Sequence, residues 1–373
     1  RRSGRWRGVR WRPGRGARPG PAAELSAARA VLAAALAALA AACACAGAPP
    51  PAPAPVTSGA YVAAVTAAPP ATAAPGTASA KELLLPPGTA AAVGPTPVVV
   101  HRAPGMFGEV LVVDEGDLRS LRFGDVDGDD QSTISLSDPA AVPMEYVRYA
   151  ALGLLYVAHP KRALVVGLGG GTFPALLRRA LPDLRIDAVE IDPAVIDAAK
   201  KFFAVREDAR YVIHLGDGRA FVEHAKTRWD LVLLDAYGGD GVPAPLATRE
   251  FFAAVRARLA PGGAVVANLF SHDPAGERSL VATFAAVFPS IACFRTPDRL
   301  NRVLIGRADA KPGAPPTPAP TYDRDALAAR AKDLGARLKL SFDLADPAAR
   351  VGTGCEALDF TAPVLRDAPR VAP

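Results

Sequence analysis

The stretch 164-LVVGLGGGTFPALLRRALPDLRIDAVEID-192 constrains the fold most strongly, because an apolar run leads directly into a cluster of glycines. In 173-FPALLRRAL-181 the apolar residues recur at helical spacing and share one face. A second apolar run then ends at Glu190. Strand, glycine turn, helix and strand in this order predict a βαβ unit within a parallel sheet.

The same alternation of strands and helices continues through the centre of the chain. The expected strands lie at 162–167, 184–190, 210–215, 229–235, 263–270, 290–296 and 301–307. Asp192 is a predicted helix cap with Pro193 at the first helical position, and further helices are expected at 139–158 and 322–338. This pattern predicts a mostly parallel sheet with helices on both faces, which binds ligands at the carboxyl ends of its strands.

Composition divides the chain into five segments. They are a basic leader with a signal-like apolar stretch at 1–48, an Ala/Pro-rich linker at 49–97, a β-hairpin domain at 98–138, a Rossmann-like domain at 139–308, and a Pro-rich linker with a C-terminal helix and tail at 309–373. Within the third segment, 108-GEVLVVDEGDLRSLRFG-124 predicts a strand, a turn and a second strand.

Glycines and acids at the ends of successive strands indicate a nucleoside-binding site. The glycines, which allow a sharp turn and close approach of a ligand, are Gly167, Gly169, Gly170 and Gly171. Glu190 is placed to accept hydrogen bonds from both ribose hydroxyls. Asp217, with Gly218, follows the third strand, where a carboxylate can receive an adenine amino group, and Asp235 ends the fourth. This layout predicts an α/β fold, the Rossmann-like class I methyltransferase sheet, with an S-adenosyl ligand, although each acid alone also fits a helix cap.

With these motifs, the region Gly108–Arg307 resembles the spermidine synthase family, the polyamine aminopropyltransferases. The motifs that carry the resemblance are the hairpin 108–124, the glycine loop, 189-VEID-192, 216-GDG-218, the Asp235 loop and Phe251-Phe252. The resemblance implies a small N-terminal β-domain, a homodimer formed through it, and transfer of an aminopropyl group from decarboxylated S-adenosylmethionine to a diamine. It also implies that Asp235 accepts the proton, that Glu190 holds the ribose, and that Asp217 with Gly218 holds the adenine.

The part that would recognise the amine departs from the family pattern. Gly170 stands where the family has an aspartate for the aminopropyl amine, Pro143-Met144 replaces a Tyr-Gln pair, and Arg119 aligns near a glutamine. The predicted substrate pocket consists of Tyr237, Asp240, Arg119 and Met144. Tyr237 also fits a packed aromatic and Asp240 a solvated loop acid. We hypothesise that Arg119 or the bare Gly170 accommodates the carboxylate of intact S-adenosylmethionine.

Two other functions stay open beside aminopropyl transfer to a small-molecule amine: S-adenosylmethionine-dependent methyl transfer, and binding of an adenosine ligand without catalysis. No metal is expected, because the five histidines lack the spacing of ligands. No nucleic-acid partner is expected either. Residues 1–100 carry ten basic and two acidic side chains, so the total charge of +6 leaves −2 for the remainder.

The leader bears on localisation. Residues 1–20 hold eight arginines, and an alanine-rich stretch with Cys43 and Cys45 follows, which is typical of an export signal or lipid anchor. The alternative is sequence outside the translated protein, and the cytosolic origin of S-adenosyl donors favours the cytoplasm. A membrane is a partner only if the leader is an anchor. Cys293 and Cys355 would pair in an exported protein, but we expect two separate buried thiols.

Overall fold

The computed structural model describes residues 95–237, 241–270, 273–308, 323–353, 355 and 358–368. The predicted leader at 1–48, almost all of the linker at 49–97, and Asp240 lie outside the described residues. Within the described ranges, no helix combines the length and apolar character that crossing a membrane requires.

The segment predicted as a β-hairpin domain is a four-stranded antiparallel sheet whose strands lie in chain order. Its strands are β1 (Val98–Gly105), β2 (Gly108–Glu115), β3 (Leu118–Phe123) and β4 (Asp130–Ser135). Val110, Val112 and Leu121 are buried and belong to the same core as one face of the larger sheet. The small sheet is therefore packed against the larger one rather than standing alone.

The predicted Rossmann-like sheet is confirmed, with seven strands. They are β5 (Arg162–Val166), β6 (Arg185–Glu190), β7 (Tyr211–Leu215), β8 (Trp229–Leu234), β9 (Leu259–Phe270), β10 (Ile291–Arg295) and β11 (Asn301–Arg307). Their order is β10-β11-β9-β8-β5-β6-β7. Strands β5 to β9 are parallel, and β11 runs antiparallel to both of its neighbours. The strand order reverses between β5 and β8, and ligands in such sheets bind in the crevice beyond that point.

Eight α-helices are described around the two sheets. They are α1 (Glu145–Ala150), α2 (Thr172–Ala180), α3 (Pro193–Phe202), α4 (Gly218–His224), α5 (Arg249–Arg258), α6 (Pro274–Val287), α7 (Arg324–Leu338) and α8 (Ala345–Ala349). Asp192 caps α3 as predicted, because its carboxylate accepts a 2.8 Å hydrogen bond from Ala194 N–H. The same carboxylate accepts a 2.7 Å bond from Met106 N–H in the β1–β2 turn. This contact docks the small sheet at the carboxyl end of β6.

The helix predicted at 139–158 begins later than expected. Helix α1 starts at Glu145 and passes into a 3-10 turn at Ala151–Leu155. Pro143 accounts for the late start, because proline disfavours helical backbone in the residue before it and has no N–H to donate. Tyr146 consequently lies in the first turn of α1.

Both faces of the large sheet are buried by helices. Ala163 and Val165 of β5 share a core with α1, α2, α3 and α7. Leu164 and Val166, which point the other way, share a core with α4, α5 and α6. Burial on both faces is typical of central parallel strands. It holds the carboxyl ends of β5 and β8 as a rigid platform.

The C-terminal segment wraps around β10, the strand at one edge of the large sheet. Helices α7 and α8 pack on one face, whereas Leu358 and Leu365 pack on the other. Between them, Cys355 forms a disulfide with Cys293 of β10, and Gly352 N–H donates to the Cys293 carbonyl at 2.8 Å. The expectation of two separate thiols is wrong. The chain brings the cysteines together where it crosses the edge strand, which a separation of 62 residues does not reveal.

Candidate active site

The glycine loop begins where β5 and β8 end side by side. Asp235 N–H donates to the Val166 carbonyl at 2.9 Å. Gly167 has a φ of 93°, and a Cβ there would lie 2.2 Å from the Asp235 carbonyl oxygen. Only glycine suits this position, because any side chain would be strained by the backbone and would strike Asp235. Two residues predicted from the sequence, Gly167 and Asp235, are therefore in direct backbone contact.

The small sheet closes the other side of the glycine loop. Ser132 of β4 accepts a 2.8 Å hydrogen bond from Gly170 N–H, and a Cβ at Gly169 would lie 2.5 Å from its hydroxyl oxygen. A Cβ at Gly170 would lie 2.7 Å from the Phe203 ring. The aspartate of the family pattern thus has no room here. Sequence reasoning missed Ser132 and Phe203, because nothing local connects them with the loop.

Glu190 ends β6 and fastens the glycine loop. One carboxylate oxygen accepts from Leu168 N–H at 2.8 Å, and the other accepts from Ile191 N–H at 2.9 Å and Asp192 N–H at 3.0 Å. Burial raises the pKa of Glu190, and these three bonds oppose the rise. A carboxylate has about four acceptor positions, so holding both hydroxyls of a ribose requires the release of a backbone donor. The ribose role stays a prediction.

Asp217 and Gly218 follow β7 and begin α4. The Asp217 carboxylate accepts a 2.7 Å hydrogen bond from Ala220 N–H and so caps the helix. A Cβ at Gly218 would lie 2.6 Å from Val166 Cγ1, so glycine lets α4 approach the sheet closely. Both residues therefore have structural roles, and their contact with an adenine stays a prediction.

The Asp235 carboxylate is held by two side chains at the carboxyl edge of the sheet. Tyr146 of α1 donates to one oxygen at 3.0 Å, and Asn268 of β9 donates to the other at 2.9 Å. Burial raises the pKa of Asp235, and the bonds from Asn268 and Tyr146 oppose that rise. The outcome is a partly buried carboxyl with a raised pKa and a fixed orientation, as a general base requires.

Two tyrosines lie near this carboxylate, and of the two Tyr146 donates a hydrogen bond to it. Burial, reinforced by the charge of Asp235, raises the pKa of Tyr146 and of Tyr237 well above the ordinary value. Both hydroxyls therefore stay protonated near neutral pH. The Tyr237 hydroxyl donates to the main-chain carbonyl of Asn268 at 2.5 Å, and its role in a substrate pocket stays a prediction.

A small apolar cavity adjoins the Asp235 loop. Its lining includes Ala236, Leu246 and Phe252, and Asn268 is the polar residue among its walls. The cavity therefore lies next to the residue that donates to Asp235 and to the residue that follows it in the chain.

Met144 precedes α1 and packs partly buried against the core, two residues from Tyr146. Arg119 is engaged elsewhere. Its guanidinium pairs with Asp114 at 2.7 Å and also donates to the Phe202 carbonyl at 3.2 Å. The substrate roles of Met144 and Arg119 stay predictions.

Sequence reasoning missed Asn268 and did not select Tyr146. Asn268 is 3 % exposed and interrupts the apolar run 263-GAVVANLF-270 just before its end. A lone amide at the carboxyl end of a buried strand was therefore an available signal. The place of Tyr146 at the start of the first helix is compatible with its facing the site, but only the packing of α1 brings its hydroxyl to Asp235. Within the described ranges, no three His, Cys, Asp or Glu side chains cluster as a metal site would require.

Several known proteins are similar to this chain in sequence or in fold. Residues 147–286 match the model of the spermine/spermidine synthase domain. The polyamine aminopropyltransferase of Vibrio vulnificus is 32% identical over 220 residues, which cover 57% of this chain and 73% of that protein. The eEF1A lysine and N-terminal methyltransferase homolog of Drosophila pseudoobscura pseudoobscura is 31% identical over 160 residues, or 40% of this chain and 24% of that protein.

The solved structure of a probable spermidine synthase from Corynebacterium glutamicum shares the fold, with a TM-score of 0.55 at 22% identity, covering 74% of this chain and 99% of that one. The Vibrio vulnificus relative shows the family as well as the fold, because the match spans 73% of that protein at 32% identity. The chain belongs to the spermine/spermidine synthase family.

Proposed function

We propose that this protein transfers an aminopropyl group from decarboxylated S-adenosylmethionine to an amine acceptor. The observation that carries the proposal is Asp235. In a member of the spermine/spermidine synthase family, it presents a raised-pKa carboxylate at the crevice where β5 and β8 end, held by Tyr146 and Asn268.

The carboxylate is suited to activating an amine. An alkylammonium has a pKa of about 10 and has no lone pair while protonated, so it must lose a proton before it attacks. Asp235 holds the cation, accepts that proton and leaves the nitrogen lone pair free. A carbon–nitrogen bond then forms as the carbon–sulfur bond of the sulfonium breaks. The electron pair of the carbon–sulfur bond neutralises the sulfur, neutral methylthioadenosine departs, and the positive charge passes to the nitrogen of the new secondary ammonium.

The donor side of the crevice supports an adenosine-containing co-substrate. Gly167 and Gly169 present bare backbone beside Asp235 and Ser132, and Glu190 stands at the end of β6, where ribose hydroxyls are bound in folds of this type. Among solved structures, a spermidine synthase is known in complex with the transition state analogue AdoDATO, and human methyltransferase-like protein 13 with SAH. We take an S-adenosyl compound as the donor class.

One observation favours a methyl-transfer alternative. Phe203 and Ser132 fill the space beside Gly170, so among the described residues no acid stands there to hold an aminopropyl ammonium. A donor that keeps its carboxylate meets no negative charge from the described residues at that point. The relative with a methyltransferase name, although matched over a small part of its length, makes this rival worth a separate arm of the test.

The test uses the purified full-length chain. It is incubated with decarboxylated or intact S-adenosylmethionine, each with putrescine, cadaverine or spermidine, and the products are identified by mass spectrometry. We expect methylthioadenosine and the aminopropylated amine in equal amounts. Asp235→Asn is expected to lower kcat/KM by about 10²–10⁴-fold. Asp183→Asn is the matched control, because that side chain is 98% exposed.

Three results would count against the proposal. Formation of S-adenosylhomocysteine from the intact donor would move the reaction to methyl transfer. Calorimetric binding of either donor without turnover in any arm would leave an adenosine-binding protein. Equal activity of Asp235→Asn and the native chain would remove Asp235 from the mechanism.

A further inference from the structure

The only two asparagines in the 373-residue sequence, Asn268 and Asn301, are hydrogen bonded to each other beside Asp235. Asn301 Nδ2 donates to Asn268 Oδ1 at 3.0 Å, and Asn268 Nδ2 donates to Asp235 Oδ1 at 2.9 Å. The two asparagines thus form a chain of hydrogen bonds that ends at Asp235, the candidate base.

The orientation of the Asn268 amide decides whether Asp235 contacts a hydrogen-bond donor or an acceptor. An amide has an acceptor end and a donor end, and a half-turn exchanges them. With the donor end on Asp235, the ionised carboxylate is stabilised; with the acceptor end there, the protonated form is favoured. Because Asn301 donates to Asn268 Oδ1, it holds that oxygen away from Asp235. The second asparagine thus selects the end that the first one presents.

Strand pairing places Asn301 for this role. In the register of β9 with β11, Asn268 lies opposite Val303, so Asn301 is its diagonal neighbour on the same face of the sheet. Thr296 fixes the Asn301 backbone, since Asn301 N–H donates to Thr296 Oγ1 at 3.0 Å and Thr296 N–H donates to the Asn301 carbonyl at 3.0 Å. Strand β11, which runs antiparallel to both of its neighbours, thereby places the Asn301 side chain at the crevice.

We infer that Asn301 is a positioning residue, which acts through the amide of Asn268 to keep a hydrogen-bond donor on Asp235 and its carboxylate ready to accept the substrate's proton. The inference rests on the proposed function only in its last clause. Among the described residues, the other titratable groups that face Asp235 are Tyr146 of α1 and Tyr237 of its own loop, and both remain protonated donors in the pH range concerned.

The first experiment reads the two amides directly and needs no substrate. In full-length protein made with 15N-asparagine, two side-chain amide groups appear in a proton–nitrogen correlation spectrum, and Asn301→Leu identifies one by its loss. We expect the Asn268 signals to titrate with Asp235 and to stop titrating in Asp235→Asn. In Asn301→Leu the titration midpoint should rise by about one pH unit, because the ionised carboxylate loses its oriented donor.

Asn301→Asp is the second variant, in case the leucine disturbs the strand. It keeps the size of the side chain but replaces the donor with an acceptor, so the Asn268 amide should turn and the midpoint should rise further. An unchanged midpoint in both folded variants would overturn the inference.

The kinetic experiment separates positioning from general damage. The acidic limb of the pH profile of kcat/KM should move up by about one pH unit in Asn301→Leu and recover at higher pH. In an Asn268→Leu background the same substitution should move it no further, because the coupling passes through that amide. An equal shift in both backgrounds would contradict the inference. If no aminopropyl transfer is found at all, the proposed function fails while the spectroscopic result still decides the role of Asn301.

Discussion

The two sides of the crevice are built differently. The proposed donor side, made of the glycine loop, Glu190 and Asp217, comes from consecutive strand–loop–helix units and is held by backbone N–H groups. The proposed acceptor side, made of Asp235, Tyr146, Asn268 and Tyr237, includes side chains that are 89 and 33 residues apart along the chain. The donor side should therefore be sensitive to added Cβ atoms, whereas the acceptor side should be sensitive to the loss of single polar groups.

The largest effect that would test this difference comes from the disulfide. The joint substitution Cys293→Ala with Cys355→Ala opens a link between residues 62 apart and should lower the free energy of unfolding. The expected loss is about 2–4 kcal/mol. Because α8 packs on α1, which carries Tyr146, turnover should fall while affinity for methylthioadenosine is retained. Thermal unfolding, calorimetry and the transfer assay measure the three quantities.

Reduction of the native chain is the matched control for that prediction. A reductant should reproduce the behaviour of the double variant and leave the variant itself unchanged. Parallel loss of donor affinity and turnover would show that the two sides of the crevice are not separable in this way.

A smaller effect is expected on the donor side. Gly167→Ala places a Cβ at 2.2 Å from the Asp235 carbonyl oxygen on a backbone with a φ of 93°. Strain of about 1–3 kcal/mol is expected, and the affinity for methylthioadenosine should fall. Gly262→Ala is the control, because its φ of 74° carries similar strain but nothing lies within 4 Å of the added Cβ. Equal stability and equal affinity in the two variants would contradict the role of close backbone contact.

The smallest effect should come from Tyr146→Phe. The ionised form of Asp235 loses one donor, so its pKa, already raised by burial, should rise by about one unit. Asp235 would then remain protonated to a higher pH, and the acidic limb of kcat/KM should move upward, with full recovery above it. The affinity for the S-adenosyl co-substrate should not change.

Tyr156→Phe provides the comparison for this tyrosine. It deletes a buried hydroxyl for which the described residues offer no hydrogen-bond partner. Its pH profile should match that of the native chain, and a shift as large as that of Tyr146→Phe would point to a general loosening of the fold.

Local periodicity made most of the fold predictable. The seven strands of the large sheet and the cap at Asp192 follow from apolar runs and from Asp-Pro at a helix start, which act over a few residues. The early start of the helix at 139 was wrong because Pro143 outweighs the apolar pattern around it. The cysteines were wrong for another reason: their pairing depends on where a distant segment crosses β10.

The candidate site likewise has one part that follows from local sequence and another that depends on tertiary contacts. The sequence alone determined that bare backbone and acids would meet at the carboxyl ends of successive strands, because strand order and glycine sterics are local properties. Only the tertiary structure decided which side chains hold Asp235 and that Phe203 and Ser132 close the space beside Gly170. Those contacts arise between elements that the chain connects through many residues, so packing and strand register set them.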